Sequence, residues 1–330
     1  MEFTYKEYDL QIIDRFRDFL PSKVFDAHMH MYHAGSIPMF QEPDSVFCRP
    51  YATPECYHTD MDTMLPGVKV LRLNMMPMLD PAMADRSNGY LDLGNNHVLT
   101  VARSHPEHIM APYILPDDTE ETIEAFLSFQ GVKAFKCYCF GTGKYEWENT
   151  TIEEFLPETL LRVANRHKMP VILHIMRPEK LFDEGNRSFI NRVLSQYPGV
   201  KLVLAHCGCA FPEWTIMESF RSLPKNENLW FDFSAICESV PMLAAIKAVG
   251  THRCVWGSDY PNSMFRGRSV SVGQGFDWLL GDSFSAVEKT YIGIENLRAF
   301  YHAALLADLD ATDIEDIFYN NALTLFDLPE

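Results

Sequence analysis

The sequence is short of positive charge, and it has no long apolar run, no cysteine pair at metal or redox spacing and no low-complexity segment. Against 45 acidic residues stand 28 basic ones, a formal charge of −17. A surface this acidic is repelled at long range by nucleic acid and by anionic membranes, so neither is expected as a partner. An anionic small molecule would need Arg or Lys placed locally to receive it. No window approaches the roughly 20 apolar residues that span a bilayer. Residues 1–20 mix acids, bases and aromatics and lack the apolar stretch of a signal peptide. A reducing cytoplasm is the expected location. The eight cysteines include Cys137 with Cys139 and Cys207 with Cys209, each pair separated by one residue. A zinc ribbon or redox pair needs two, so these read as small apolar strand residues.

No Gly/Ser-rich or Pro-rich linker and no repeat divides the 330 residues, of which 47% are hydrophobic and 22% charged. Length alone suggests two domains, yet α/β barrels of about 250 residues or more fold as one unit. One domain over 1–330 is expected. Its lead-in, 1–22, carries Tyr8, Ile12, Ile13, Phe16 and Phe19 at helical spacing until Pro21 ends the pattern. Strands are then predicted at 24–30, 68–75, 109–115, 132–139, 171–175, 201–206, 229–234 and 254–257. Helices are predicted near 59–65, 93–104, 118–129, 152–167, 187–196, 213–221 and 239–248, with a helical tail over 286–330 packed outside. Short, near-continuous apolar strands alternating with helices are what a parallel sheet covered on both faces requires. Eight such units point to a closed α/β structure, the (β/α)8 TIM barrel. Residues 31–54 form a long β1–α1 loop rich in Met, Phe, Tyr, Cys and Pro. It is too apolar for a solvated linker and is expected to lie over a substrate pocket.

In such a barrel, chemistry sits at the C-terminal ends of the strands. Strand one, Val24 to His30, sets His28 and His30 on alternate positions and so on one face. The two imidazoles can share a metal ion, or they can be unrelated histidines. Strand five ends in His174, strand six in His206 and strand eight in Asp259, while strand four carries Lys136. One such residue is explained by core packing. A set of them at independent strand ends is better explained as a metal or acid–base site. Arg72, sharing a face with Asn74, and Arg177, in the loop after strand five, are candidates to bind a carboxylate bidentately or to pair with a neighbouring acid. Met75, Met76, Met78, Tyr32, Phe40, Phe47 and Tyr51 either line an apolar pocket or pack the long loop. Asp26 reads as a buried partner within strand one. The other histidines read as surface residues, with His33 and His58 in loops that could reach the rim.

Five stretches in this order resemble the amidohydrolase superfamily, within it the amidohydrolase-related branch of metal-dependent TIM-barrel hydrolases. They are Phe25-Asp26-Ala27-His28-Met29-His30, Gly131-Val132-Lys133-Ala134-Phe135-Lys136, Pro170-Val171-Ile172-Leu173-His174, Leu204-Ala205-His206-Cys207-Gly208 and Trp256-Gly257-Ser258-Asp259-Tyr260-Pro261. Asn320-Asn321-Ala322-Leu323-Thr324-Leu325-Phe326 also resembles that branch's closing helix. The resemblance implies one divalent ion held by His28, His30, His174 and Asp259, with a water completing the site. Zinc suits the nitrogen-rich set, and manganese or iron can occupy it. It further implies that Asp259 accepts the proton of the activated water, and that His206 acts as general acid–base or oxyanion stabiliser rather than as a ligand. In binuclear relatives a carboxylated lysine at the end of strand four bridges two metals. In the branch matched here it stays unmodified, so Lys136 is expected to serve substrate as a cation. The implied activity is hydrolysis of a C–O or C–N bond, as in a lactone, ester or amide, of a small molecule, carboxylated or not. The same ligands serve a lyase, a non-oxidative decarboxylase or hydratase of a carboxylated acid. A non-catalytic barrel is disfavoured because no ligand position is missing. Family habit implies a homo-oligomer.

Overall fold

A computed structural model describes residues 3–40, 46–47, 49–144, 146–281 and 286–329. Eight parallel strands form its centre: β1 Lys23–Met31, β2 Lys69–Pro77, β3 Ile109–Met110, β4 Phe135–Cys137, β5 Pro170–Leu173, β6 Lys201–Leu204, β7 Leu229–Asp232 and β8 Cys254–Val255. A helix follows each in turn: α1 Pro54–Met61, α2 Tyr90–Ser104, α3 Glu120–Phe126, α4 Glu158–His167, α5 Glu184–Gln196, α6 Trp214–Ser219, α7 Ser239–Val249 and α8 Ile292–Leu306. Ladders join β1 to β3 and β4 to β8 in sequence order. Bridges at Met110–Val132 and Tyr113–Lys136 connect β3 with β4. Ala27 N donates to Trp256 O (3.1 Å) and Asp259 N to His28 O (2.8 Å), which closes β8 onto β1. The fold is the (β/α)8 barrel. The helix predicted over 152–167 is broken into Ile152–Phe155 and α4 at Pro157, whose ring cannot continue a helix interior.

One irregularity in β1 decides where its side chains go. Phe25 and Ala27 face the inner core with Ile172, Val203 and Trp230, so strict alternation would turn His28 and His30 outward. Asp26 pairs with Leu73 and Met29 with Met75, so three steps of β1 span two of β2. The extra residue reverses the parity of the strand. His28 and His30 turn inward, and Met29 and Met31 join the outer core. Asn74 Nδ2 holds the Ala27 carbonyl at this point (3.0 Å). Gly257 makes the closure possible, because a Cβ there would lie 2.8 Å from His28 N and 2.6 Å from its Cβ.

The tail divides into two parts. α8 packs outside beside α7, and Phe19 of the lead-in meets its Phe300 at a tilt and its Tyr301 edge-on (5.8 and 5.0 Å). The last helical segments instead form the barrel floor, which corrects the expectation that the whole tail lies outside. Tyr319, Leu323 and Phe326 join the inner core, and Phe326 meets Phe25 at 5.5 Å. Without them the apolar N-terminal end of the barrel would open onto water. Between β8 and α8 stands an antiparallel hairpin, β9 Gly267–Val272 and β10 Gly275–Leu280, that the strand pattern did not anticipate. Among the described residues no helix is long and apolar enough to cross a membrane.

Candidate metal centre

At the C-terminal ends of the strands four imidazoles stand in a row. Ring centroids are 5.3 Å apart for His30 and His28, 4.9 Å for His28 and His206, and 5.1 Å for His206 and His174. Each ring is held by its Nδ1. His28 binds Asp232 Oδ2 (2.8 Å), His30 the Pro77 carbonyl (3.1 Å), His206 the Ser234 carbonyl (2.9 Å) and His174 the Cys209 thiol (3.3 Å). A carboxylate or carbonyl at Nδ1 keeps the proton there and leaves the Nε2 lone pair free. Burial pushes the Cys209 thiol up to about 12, and a thiol both donates and accepts, so it does not fix the His174 tautomer in the same way.

Asp259 Oδ1 lies 3.3 Å from His30 Nε2 and 3.7 Å from His28 Nε2. Asn262 Nδ2 donates to its other oxygen (3.2 Å). A tetrahedral ion with donors at about 2.1 Å separates them by roughly 3.4 Å, so the spacing fits a shared divalent ion. The charge states fit too. Burial lowers His28 to about 4 and His174 well below its ordinary value, so both rings are neutral donors at neutral pH. Burial opposes the Asp259 charge, but the His30 hydrogen bond and the neighbouring histidines hold it down at about 2. Burial likewise depresses Lys136, whose Nζ is 3.5 Å from His28 Nε2.

The structure thus brings His28, His30 and Asp259 within 4.8 Å of one another through their ligand atoms. His174 joins no such trio among the described residues; it lines the same cavity at the far end of the row, beside His206. A second trio, His28, His206 and Asp232, is built around the His28–Asp232 hydrogen bond. Asp232 also accepts from His206 N (3.2 Å) and Ser234 N (3.0 Å), so one carboxylate holds the His28 ring and the backbone that carries His206. Sequence reasoning passed it over, although it ends the apolar run Leu229-Trp230-Phe231 in the same way that the other site residues end theirs.

Backbone strain is concentrated here. Asp259 has φ +57°, and His206, Cys207, Gly208 and Cys209 form a left-handed turn with φ of 54, 54, 72 and 55°. Cys209 N donates to Ala205 O (2.9 Å) and Ala210 N to His206 O (3.0 Å) across it. Each non-glycine residue so placed costs roughly 1–2 kcal/mol, a strain typical of functional sites. The turn sets His206 against His28 and Cys209 against His174.

A cavity of about 910 Å³ opens beside the row, and His30, Lys136, His174, His206 and Asp259 line it. Its walls are apolar: Tyr138 and Phe140 after β4, Phe211 after β6, and Phe276 and Trp278 from the hairpin. The β1–α1 loop covers it with Met39, Phe40 and Phe47, while residues 41–45 and 48 lie outside the described residues. Met78 lines it as well; Tyr32, Met75 and Met76 are core residues, and Tyr51 is exposed. Neither predicted arginine lines the cavity. β2 runs to Pro77, two residues beyond its predicted end, which leaves Arg72 in the lower half opposite Phe25. Arg177 Nη1 pairs with Asp183 (3.0 Å). Asp26 accepts from Ser258 N, His28 N and Tyr57 Oη (2.9, 3.1 and 2.8 Å) and faces away from the row. His33 accepts from Gly35 N, and His58 sits on α1; neither lines the cavity.

No curated protein matches the chain. Among solved structures it is similar to 5-carboxyvanillate decarboxylase from Novosphingobium aromaticivorans, complexed with manganese and 4-hydroxy-3-methoxy-5-nitrobenzoic acid. That likeness has 15% identity and a TM-score of 0.59 and covers 92% of this chain and 96% of that one. An amidohydrolase from Burkholderia multivorans with bound zinc is similar at 14% identity and TM-score 0.60, over 93% and 99% of the two chains. So is 2,6-dihydroxybenzoate decarboxylase complexed with its namesake acid, at 14% identity and TM-score 0.58, over 94% and 100%. At such identities these likenesses show the fold. The amidohydrolase family model reaches further, matching residues 25–328 from the first buried residues of β1 to the floor of the barrel. With every strand end of the barrel inside that match, the chain belongs to the amidohydrolase family of enzymes.

Proposed function

We propose that this enzyme holds one divalent ion with His28, His30, His174 and Asp259, and hydrolyses a C–O or C–N bond of a small, largely apolar molecule. The observation that carries the reading is the row of imidazoles held from behind at Nδ1, with the ionised Asp259 at Nε2 distance from two of them. Zinc suits this donor set, and manganese or iron accepts it. What the ion supplies when bound is polarisation of a carbonyl and a water acidified toward neutrality. Asp259 takes a proton from water and passes it to the leaving group. His206, anchored on Ser234, presents Nε2 to the cavity and serves as the second acid–base group. Lys136 offers an N–H donor to a substrate oxygen.

The aromatic wall of Tyr138, Phe211, Phe276 and Trp278 favours a second reading, a non-oxidative decarboxylase of a planar ring acid. Similar folds that bind benzoic acids support it. There the C–C bond breaks, carbon dioxide leaves, and Asp259 relays a proton drawn from water to the carbon it left. The deciding experiment supplies zinc or manganese, counts ions per chain, and screens esters, lactones, amides and aromatic acids in isotopically labelled water. One ion with oxygen-18 from the water in the product supports hydrolysis, and carbon dioxide release that leaves no oxygen-18 in the aromatic product establishes the second reading. Protein that takes up no ion overturns both.

A further inference from the structure

Two lysines line the cavity, and they differ in what they touch. Lys136 stands against His28. Lys180 is 7% exposed, yet no carboxylate among the described residues is in ion-pair range of its Nζ. Of the acids lining the cavity, Asp259 belongs to the histidine cluster and Glu148 is exposed. The charge of Lys180 acts on His174, Cys139 and Cys209, which places it on the His174 side. A chain of charge −17 has acids to spare for pairing a lysine. A cation that lines the cavity with no carboxylate against it is placed to receive the anion of a ligand.

The backbone is built for this position. Lys180 has φ +48° and Arg177 φ +69°, both left-handed. Lys180 N donates to Arg177 O (3.1 Å), while the buried Asn186 of α5 donates to Met176 O and Lys180 O (2.9 and 2.8 Å). A buried amide thus clamps the loop in a conformation that non-glycine residues avoid. A lysine that needed only solvent would not require such a clamp.

We propose that Lys180 anchors the carboxylate of an aromatic acid, whose ring lies against the wall that Phe211 forms with the hairpin residues Phe276 and Trp278, so that the rest of the molecule faces the His28–His30–Asp259 cluster. The inference rests on reading the cavity as the substrate site, and it assigns to Lys180 the role the sequence had offered to Arg72 and Arg177. Calorimetry on zinc-supplied protein tests it, using naphthalene-2-carboxylate and the neutral naphthalene-2-carboxamide. Lys180→Met should weaken the acid by about tenfold or more and leave the amide and the bound metal unchanged, while Lys180→Arg retains most of the acid affinity. Undiminished acid binding in Lys180→Met overturns the proposal, as does an equal loss of acid and amide. If the wild type takes up no zinc, the metal reading fails, yet the acid–amide contrast still reports on Lys180.

Discussion

Histidines and carboxylates gather in two places among the described residues, and only one of them has the construction of a site. At the barrel mouth they are His28, His30 and Asp259; just before β3 they are His105, Glu107 and His108. Distances alone hardly separate them. His105 Nε2 lies 3.3 Å from Glu55 and its Nδ1 3.4 Å from Glu107, close to the spacings around Asp259. The surroundings do separate them. Side chains of Glu55 and Glu107 are 68% and 52% exposed, that of Asp259 8%. Hydrated carboxylates satisfy themselves with water, and their pairs are screened and worth little. His108 keeps a buried Nδ1 with no partner among the described residues, and both nitrogens of His105 are taken by glutamates. At the mouth each ring is gripped on one side, which aims the other. Anchorage from behind and a dry carboxylate turn proximity into a ligand set.

Asp259→Asn should produce the largest effect. It keeps the shape and removes the charge, so turnover should fall about a thousandfold or more, with circular dichroism and melting temperature unchanged. Activity within tenfold of wild type would mean that the mouth cluster works no differently from the flank one. Asp232→Asn comes next and tests anchorage itself. Its amide oxygen can still accept from His28, but the charge behind the ring is gone, and metal affinity should drop about 10–100-fold in a chelator competition. Unchanged affinity would refute the importance of what lies behind the ligands. The smallest effect belongs to the flank. With His105 and His108 both replaced by alanine, the ion count per chain and turnover should stay at wild-type levels, and the loss of an ion would make the flank a second metal site.

Much of the architecture could be read from the chain because it depends on near-neighbour pattern. Apolar runs such as Val171-Ile172-Leu173 and Leu202-Val203-Leu204 lie in β5 and β6, and the polar residues that end such runs came out at the cavity rim. What escaped the pattern depended on register and on long-range contact. Alternation put Asp26 on the face of His28, whereas the extra residue in β1 sends its carboxylate to Ser258 and Tyr57 instead. The hairpin that brings Phe276 and Trp278 over the cavity has alternating positions, but nothing local to it marks it as a wall.

By itself, the sequence determined that strands and helices would alternate eight times and that His28, His30, Lys136, His174, His206 and Asp259 would stand near strand ends. Side-chain periodicity and apolar burial are local properties, and barrel closure turns strand ends into one rim. Only the tertiary structure decided which of these residues meet, and that Asp232 holds the His28 ring and the His206 backbone together. It alone placed Lys180 in the cavity while Arg72 and Arg177 stayed out of it. Those outcomes depend on one inserted residue in β1 and a left-handed turn after β6, held by Asn74 and Asp232 far away in sequence, and on a loop after β5 that the nearby Asn186 clamps.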